Sequence, residues 1–398
     1  MFDRFFGRGN NLKTTREATA YLYKNFRYLG LKPCKKWQKC YQYLYYLLSV
    51  SVNMFVLGYF PLSFPLSYYY ESHKMSAEQF LTSLQVFINV LGLPPKVIVL
   101  RLLLKRLSQS KDIMNLLDAR CLLAEECKKI RECAIMGNRL TVFFMSVYTM
   151  YAVVTILSMV CMGQPGYSLF LPIIDWRNSW LEFILQCLIE WFLVNVGCLH
   201  QATVDVYAII YVYILRTHMQ ILVDRVKRLG TDSAYSNDEH YEQLVLCVKD
   251  HQNLLKLVDF ISPVISITIF IQFMITAAIL GTTLINIFVF ADFSAQIASV
   301  VYIFAVLVQT SPCCYQATCL IEDSEQLSLA IFHCEWFDKD IRFRKMMIYF
   351  MMRSQTPITL TALKLFPITL DTSVGIAKFS FSLYTLIREM DFGQSLKN

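Results

Sequence analysis

Seven runs of mostly apolar residues, each long enough to cross a bilayer, are spaced along the whole chain and decide what it can fold into. They lie near 41–67, 79–104, 136–162, 181–213, 262–290, 294–319 and 368–388. The hydrocarbon core of a membrane needs roughly 20 such residues per helix. A helix also satisfies its own backbone hydrogen bonds, which an open strand cannot do in lipid. Packing the runs into a water-soluble core is not an option, because only 17% of the residues are charged, against roughly 25% in soluble domains. The chain therefore reads as an all-α integral membrane protein, a seven-transmembrane helical bundle. Residues 1–40 are polar and basic with no short apolar stretch behind them, so the run beginning at Tyr41 is expected to act as an uncleaved anchor.

The basic residues give the bundle a direction. Of 37 Lys and Arg, 31 fall in the N-terminal segment and in the second, fourth and sixth connections, and four fall in the others and the C-terminal tail. Lys96 and Lys378 lie inside spans. Cytoplasmic connections carry the excess of Lys and Arg, so the N-terminus is expected in the cytoplasm and the C-terminus outside. This inverts the arrangement of G-protein-coupled receptors, whose usual motifs are also missing. Four stretches follow: a cytoplasmic segment 1–40, six spans with cytoplasmic extensions over 41–319, a cytoplasmic anchor segment 320–367, and a last helix with a short outer tail, 368–398. The net charge of +7 belongs to this sorting rather than to a nucleic-acid-binding face, and no nucleic-acid partner is expected.

Enzyme chemistry has no foothold. The sequence holds no GxGxxG, Walker A, HExxH or GxSxG pattern, and its six histidines are scattered. None of the 13 cysteines forms a CxxC pair. No metal, cofactor or catalytic residue is expected. Cys161 and Cys187 flank one outer connection, which leaves a disulfide between them open. Leu244, Val248, Leu255 and Val258 recur at helical spacing in a cytoplasmic connection, as do residues in 219–229. Such a face fits packing either against the chain's own bundle or between subunits.

Polar residues inside spans are costly and therefore informative. In the last run, Asp371, Gly375, Lys378, Ser382, Thr385 and Glu389 follow steps of four and three, which puts them on one helical face. Val374, Ile376, Phe379, Phe381 and Leu383 are expected on the opposite side. The polar stripe fits a water-filled conduit better than helix glue, and one helix cannot enclose a conduit, so the chain is expected to be a pore-forming subunit of an oligomer. A second group of residues fits a pocket for a small, volatile, mostly apolar ligand. Phe87, Val90, Leu91 and Pro94 share a face of the second span, where Pro94 and Pro95 should kink the helix. Tyr148, Tyr151 and Thr155 share a face of the third, and Tyr302 lies near the outer end of the sixth.

The C-terminal third then carries a likeness. Its pieces are Ser311-Pro-Cys-Cys-Tyr-Gln-Ala-Thr-Cys-Leu320, Asp323-Ser-Glu-Gln-Leu327, Ala330-Ile-Phe-His-Cys-Glu-Trp336, Arg353-Ser-Gln-Thr-Pro-Ile-Thr-Leu-Thr-Ala362, Phe366-Pro-Ile-Thr-Leu-Asp-Thr372 and Ile376-Ala-Lys-Phe-Ser-Phe-Ser-Leu-Tyr-Thr-Leu386. In order and spacing these resemble the insect odorant receptor family, as do Leu117-Asp-Ala-Arg-Cys121 and Met136-Gly-Asn138 upstream. The resemblance implies a non-selective cation channel of four subunits, opened by an odorant, in which an odorant-binding subunit assembles with a shared co-receptor. It implies a multi-pass protein of the plasma membrane, in the dendrites of olfactory sensory neurons. The co-receptor type carries a long insertion between spans four and five that this chain lacks, so the chain looks like the odorant-binding type. Gate positions carry over onto Leu386, Glu389 and Met390, and the acidic Glu389 departs from the co-receptor pattern. The odorant pocket is implied in the outer half among spans two to six, and 219–229, 241–260 and 340–356 are implied to form the cytoplasmic anchor. A gustatory receptor of the same fold class is the nearer alternative, and the apolar pocket face argues against its sugar ligands. A transporter is disfavoured because no internal repeat is evident.

Overall fold

The computed structural model describes residues 14–31, 39–71, 77–163, 165, 167, 169–232, 234–290 and 293–389, and these are almost entirely helical. A short 3₁₀ turn, Thr15–Thr19, leads into α1 (Ala20–Tyr28). The first span is α2 (Lys39–Asn53), a π turn (Met54–Tyr59) and α3 (Phe60–Glu71). The second is α4 (Ala77–Leu91) followed by α5 (Leu93–Ala119). The third to sixth are α6 (Ala124–Met162), α7 (Trp180–Lys227), α8 (Asn237–Ile285, running into a π turn at Asn286–Phe290) and α9 (Phe293–His333). The shorter α10 (Ile341–Ser354), a small hairpin of β1 (Thr361–Ala362) and β2 (Phe366–Pro367), and the last helix α11 (Leu370–Glu389) complete the chain.

Five stretches among the described residues are long and apolar enough to cross a membrane: 39–70, 80–119, 180–227, 237–290 and 299–333. The other two positions in the bundle are taken by α6, with 39 residues, and α11, with 20. At 1.5 Å per residue a 20-residue helix reaches about 30 Å, the thickness of the hydrocarbon core. Local sequence sets several of the ends. Ser236 and Glu239 form a reciprocal capping box at the start of α8, Ser179 and Asp340 cap α7 and α10, and Gly163 ends α6 in the left-handed region. Span two is interrupted at the single residue Gly92, whose backbone stays in the right-handed helical region and donates to the Ile88 carbonyl at 3.3 Å. Pro94 and Pro95 cannot donate to the carbonyls of the preceding turn, and a side chain on Gly92 would strike Ile275 of α8.

The centre of the bundle is α7, whose residues 200–212 are buried on every side, with His200, Gln201 and Asp205 among them. It packs against α6 and α9, while α5 and α11 lie against α8. Beyond the apolar runs the same helices continue into a second packed core. Leu244, Leu254 and Leu257 of α8, Val226 of α7 and Phe343, Met347 and Phe350 of α10 are buried within this one chain. The amphipathic faces of the fourth connection therefore pack against the chain's own bundle.

An ion cluster ties the same region. Arg225 meets Glu126 at 2.8 Å and Asp250 at 2.6 Å, Arg120 also pairs with Asp250, and Arg228 reaches Glu126 at 3.1 Å. Burial raises the Glu126 carboxyl, but hydrogen bonds from Arg225 outweigh it and hold the group below its ordinary range. Arg216 bonds Asp323 at 2.9 Å and so locks α7 to α9.

Cys161 and Cys187 are free thiols, one exposed and one buried, and so are the other described cysteines.

The N-terminal segment is seated by two of the motifs noted above. Asp118 accepts from the Thr15 backbone at 2.9 Å and from its hydroxyl at 3.0 Å, and that hydroxyl lies 3.2 Å from Nε2 of His218. Asn138 donates to the Glu17 carbonyl at 2.9 Å. Gly137 is crossed so closely that a Cβ there would lie 2.7 Å from the Ala18 carbonyl oxygen.

Candidate functional site

In the outer half of the bundle, Phe64 of α3 is a fully buried aromatic hub, with ring centroids 5.7 Å from Phe87 and 6.3 Å from Tyr167. Tyr68 meets Phe87 edge-on at 6.1 Å. Phe87 and Val90 pack against this cluster together with Val56, Phe60, Ala152, Leu193 and Val194, so residues of the first four spans converge there. Leu91 does not join them. It is 52% exposed, turned outward at the last residue before the break, and it leaves the group of converging side chains. Tyr302 joins a neighbouring aliphatic cluster with Ile88, Ile271, Ile275, Ile279 and Val306, formed by spans two, five and six. The residues expected to share one pocket are thus divided between two faces of α4. The side chain of Thr155 lies outside the described residues.

The outer connection folds over the aromatic cluster. Glu190, fully buried in α7, accepts from the backbone of Tyr167 at 3.2 Å and of Leu169 at 3.0 Å, and Gln186 donates to the Leu169 carbonyl at 3.2 Å. The Tyr151 hydroxyl lies 2.7 Å from that of Tyr167, although the Tyr151 ring is 42% exposed. A carboxylate holding a loop by its backbone amides is a charge-assisted arrangement, and it covers the outer end of the cluster.

Beneath the cluster lies a polar ring absent from the sequence expectations. Lys96, in the first turn after the helix break, is buried 3.5 Å from Asp205 and also donates to Gln272. The Tyr148 hydroxyl donates to Asp205 at 2.5 Å and accepts from Gln309 at 2.7 Å. Gln272 donates to Gln309 at 3.4 Å and to Thr276 at 3.2 Å, and the Thr276 hydroxyl lies 3.2 Å from that of Thr310. Gln201 also donates to Asp205. Side chains from spans two to six therefore share one buried network. Only ionic groups that pair and are fully hydrogen-bonded are tolerated at such depth. The signal was present in the sequence as one Lys and one Asp inside apolar runs. Helical periodicity, however, does not reveal which faces of different helices meet.

The last helix divides cleanly. Ser373, Ser380 and Tyr384 are buried, with the Ser380 hydroxyl donating to the Ala277 carbonyl at 3.2 Å and Tyr384 stacked on Phe288 at 4.7 Å. Asp371, Gly375, Lys378 and Ser382 of the polar stripe are exposed and Thr385 is half-buried. At about 100° per residue, the buried face stands opposite the stripe. This corrects the expected opposite face, since Val374, Phe379 and Phe381 are exposed flanks rather than the packed side. Leu386 is 53% exposed. The side chain of Glu389 and the whole of Met390 lie outside the described residues. Among the described residues no group of three or more His, Cys, Asp or Glu is placed to hold a metal ion.

The sequence profile of the family described as 7tm Odorant receptor matches residues 76–381. Odorant receptor 42a of Drosophila melanogaster is 37% identical over 96% of this chain and 93% of its own length. Odorant receptor 42b of the same species is 37% identical over 97% and 96%. The insect olfactory receptor OR5 from Machilis hrabei superposes with a TM-score of 0.74 at 12% identity, covering 94% of this chain and 98% of that one. The same receptor in complex with eugenol superposes with a TM-score of 0.68 at 11% identity, over 95% and 100%. The distant structural likeness establishes a shared fold, and the family profile with the 37% identity over nearly the whole chain shows that this membrane protein belongs to the odorant receptor family.

Proposed function

We propose that the chain is the odorant-binding subunit of a ligand-gated, non-selective cation channel, assembled with a co-receptor subunit into a heterotetramer. The observation that carries this reading is the last helix. It buries one face against α8 and leaves its polar stripe, from Asp371 through Lys378 and Ser382, uncovered by its own chain. A polar face at the side of a membrane bundle calls for water or for another subunit, and a ring of such helices supplies both. Leu386, Glu389 and Met390 then stand at the outer gate. Exposed Phe332, Phe337, Ile341 and Met352 around the cytoplasmic anchor offer apolar area for contact between subunits.

The charge sorting supports a cytoplasmic N-terminus and an outer C-terminus, in the plasma membrane of olfactory sensory neuron dendrites. The ligand is a small volatile odorant lodged in the outer half beside α4, whose one face packs Phe87 and Val90 and whose other packs Ile88 in the cluster that Tyr302 joins. Binding favours opening only insofar as the odorant binds the open arrangement more tightly than the closed one. The test is agonist-evoked current in cells expressing this chain with the co-receptor. An odorant-dependent cation current supports the reading, and silence across a broad odorant panel, with the chain at the surface, rejects it.

A further inference from the structure

On the side of α4 turned away from Phe87, a polar seam interrupts an aliphatic interface. Gln85 is 2% exposed, and Asn286, the first residue of the π turn, is fully buried. The edges of the seam are tied together. Asn286 Nδ2 donates to Thr82 Oγ1 at 3.3 Å, and the Tyr302 hydroxyl donates to the Gln85 carbonyl at 3.3 Å. The Asn89 carboxamide engages that same hydroxyl. Three ends remain over: Gln85 Nε2, Asn89 Oδ1 and Asn286 Oδ1 are buried without a hydrogen-bond partner. Residues 85 and 89 stand four apart on one helix, so their side chains lie one above the other about 5–6 Å apart. Ile88, Ile275, Ile279 and Val306 supply the apolar surroundings. Buried polar groups in such a setting are normally paired, and here one donor and two acceptors are left over on one face of α4 and on the π turn bonded to it through Thr82.

We propose that this seam reads the oxygen of the odorant, and that the preferred ligand class is a small aliphatic alcohol. Its hydroxyl accepts from Gln85 Nε2 and donates to the carboxamide oxygen of Asn89 or Asn286, while its hydrocarbon chain lies against Ile88 and Ile279. A ketone of the same length satisfies Gln85 alone, and the matching alkane satisfies neither. This inference rests on the reading of the chain as an odorant-binding subunit and adds the chemistry that ligand must carry.

The experiment compares dose–response currents for an alcohol, a ketone and an alkane of equal carbon number, in cells expressing the full chain with the co-receptor. Surface expression is measured in parallel. The expected potency order is alcohol, then ketone, then alkane. Gln85→Leu should weaken the alcohol and the ketone by about tenfold, the scale of one lost hydrogen bond, and leave the alkane unchanged. Either Asn89→Leu or Asn286→Leu should weaken the alcohol more than the ketone, and the lack of such a difference in both variants overturns the donor half of the seam. Gln85→Met, which keeps the side-chain length without the donor, repeats the first arm should the leucine variant fail to reach the surface. Unchanged alcohol and ketone potencies in the Gln85 variants, or an equal loss for all three ligands, overturns the seam. A wild-type chain that responds to no odorant overturns the channel reading and the seam with it.

Discussion

Lys96 and Asp205 show how much a single pair can decide when it lies in the bundle interior. Each was legible in the sequence as a charge inside an apolar run, but their partnership was not, because it depends on how α5 and α7 are turned toward each other. Breaking a buried pair leaves one charge uncompensated and costs about 3–5 kcal/mol, whereas replacing both partners by uncharged groups is often neutral. Asp205→Asn is therefore expected to reduce surface expression and thermal stability in detergent, and the double variant Lys96→Met with Asp205→Asn to recover most of both. Failure of the double variant to recover would mean that the charges themselves are required.

Asp118 carries a different prediction, since it lies at the far end of α5, beyond the apolar run 79–104. Burial raises its carboxyl to about 6 against the opposing hydrogen bonds from Thr15. A folded-state value above the unfolded one means the folded protein binds the proton more tightly. Its stability then rises as pH falls from about 6 toward 4, and the cost of the buried carboxylate is fully felt near neutrality. His218 works in the opposite sense, because burial, reinforced by Arg225, lowers it to about 3 and disfavours the folded state as pH falls below its ordinary 6.5. Relative to Asp118→Asn, the wild-type chain should therefore gain melting temperature between pH 7 and 5. Equal slopes for the two proteins would contradict this account.

At the scale of elements, the last helix was the most legible part of the site. A stripe with steps of four and three could be read directly from Asp371 to Thr385, and it coincides with the uncovered face. The packed side was misread because serines at 373 and 380 look polar in sequence while being small enough to sit against α8. This gives a sharp expectation for cysteine accessibility. Ser382→Cys should react with a charged thiol reagent and reduce odorant-evoked current, while Ser380→Cys should stay protected beside the Ala277 carbonyl. Equal reactivity at both positions would refute the assignment of faces.

The N-terminal dock is a second element whose role only the structure exposes. The motif 136–138 reads as family likeness in one dimension and as a close helix crossing in three. Gly137→Val forces atoms into the Ala18 backbone and should destabilise the chain by about 1–3 kcal/mol, seen as a lower melting temperature. An unchanged melting temperature would show that the dock is loose.

At the scale of the whole molecule, the fold class and the order of the spans were readable because lipid imposes length and apolarity on every crossing segment. The pocket was less readable. Phe87 and Val90 do converge with other spans, but Leu91 and Tyr302 separate from them because α4 is a short helix with partners on two sides. The distribution of Lys and Arg gave a direction, and the uncovered stripe of α11 gave a reason for the chain to assemble with others. Together they support the proposed subunit, in which one half of the bundle receives a ligand and the last helix lines a conduit shared with other subunits.

The most direct test of that claim is whole-cell current evoked by odorants in cells expressing this chain alone, the co-receptor alone, and both together. The account predicts an odorant-dependent cation current with both subunits that is absent from either alone and altered in amplitude or ion preference by Lys378→Glu. An odorant current identical with and without this chain, or none from the pair despite surface expression of both, would contradict it.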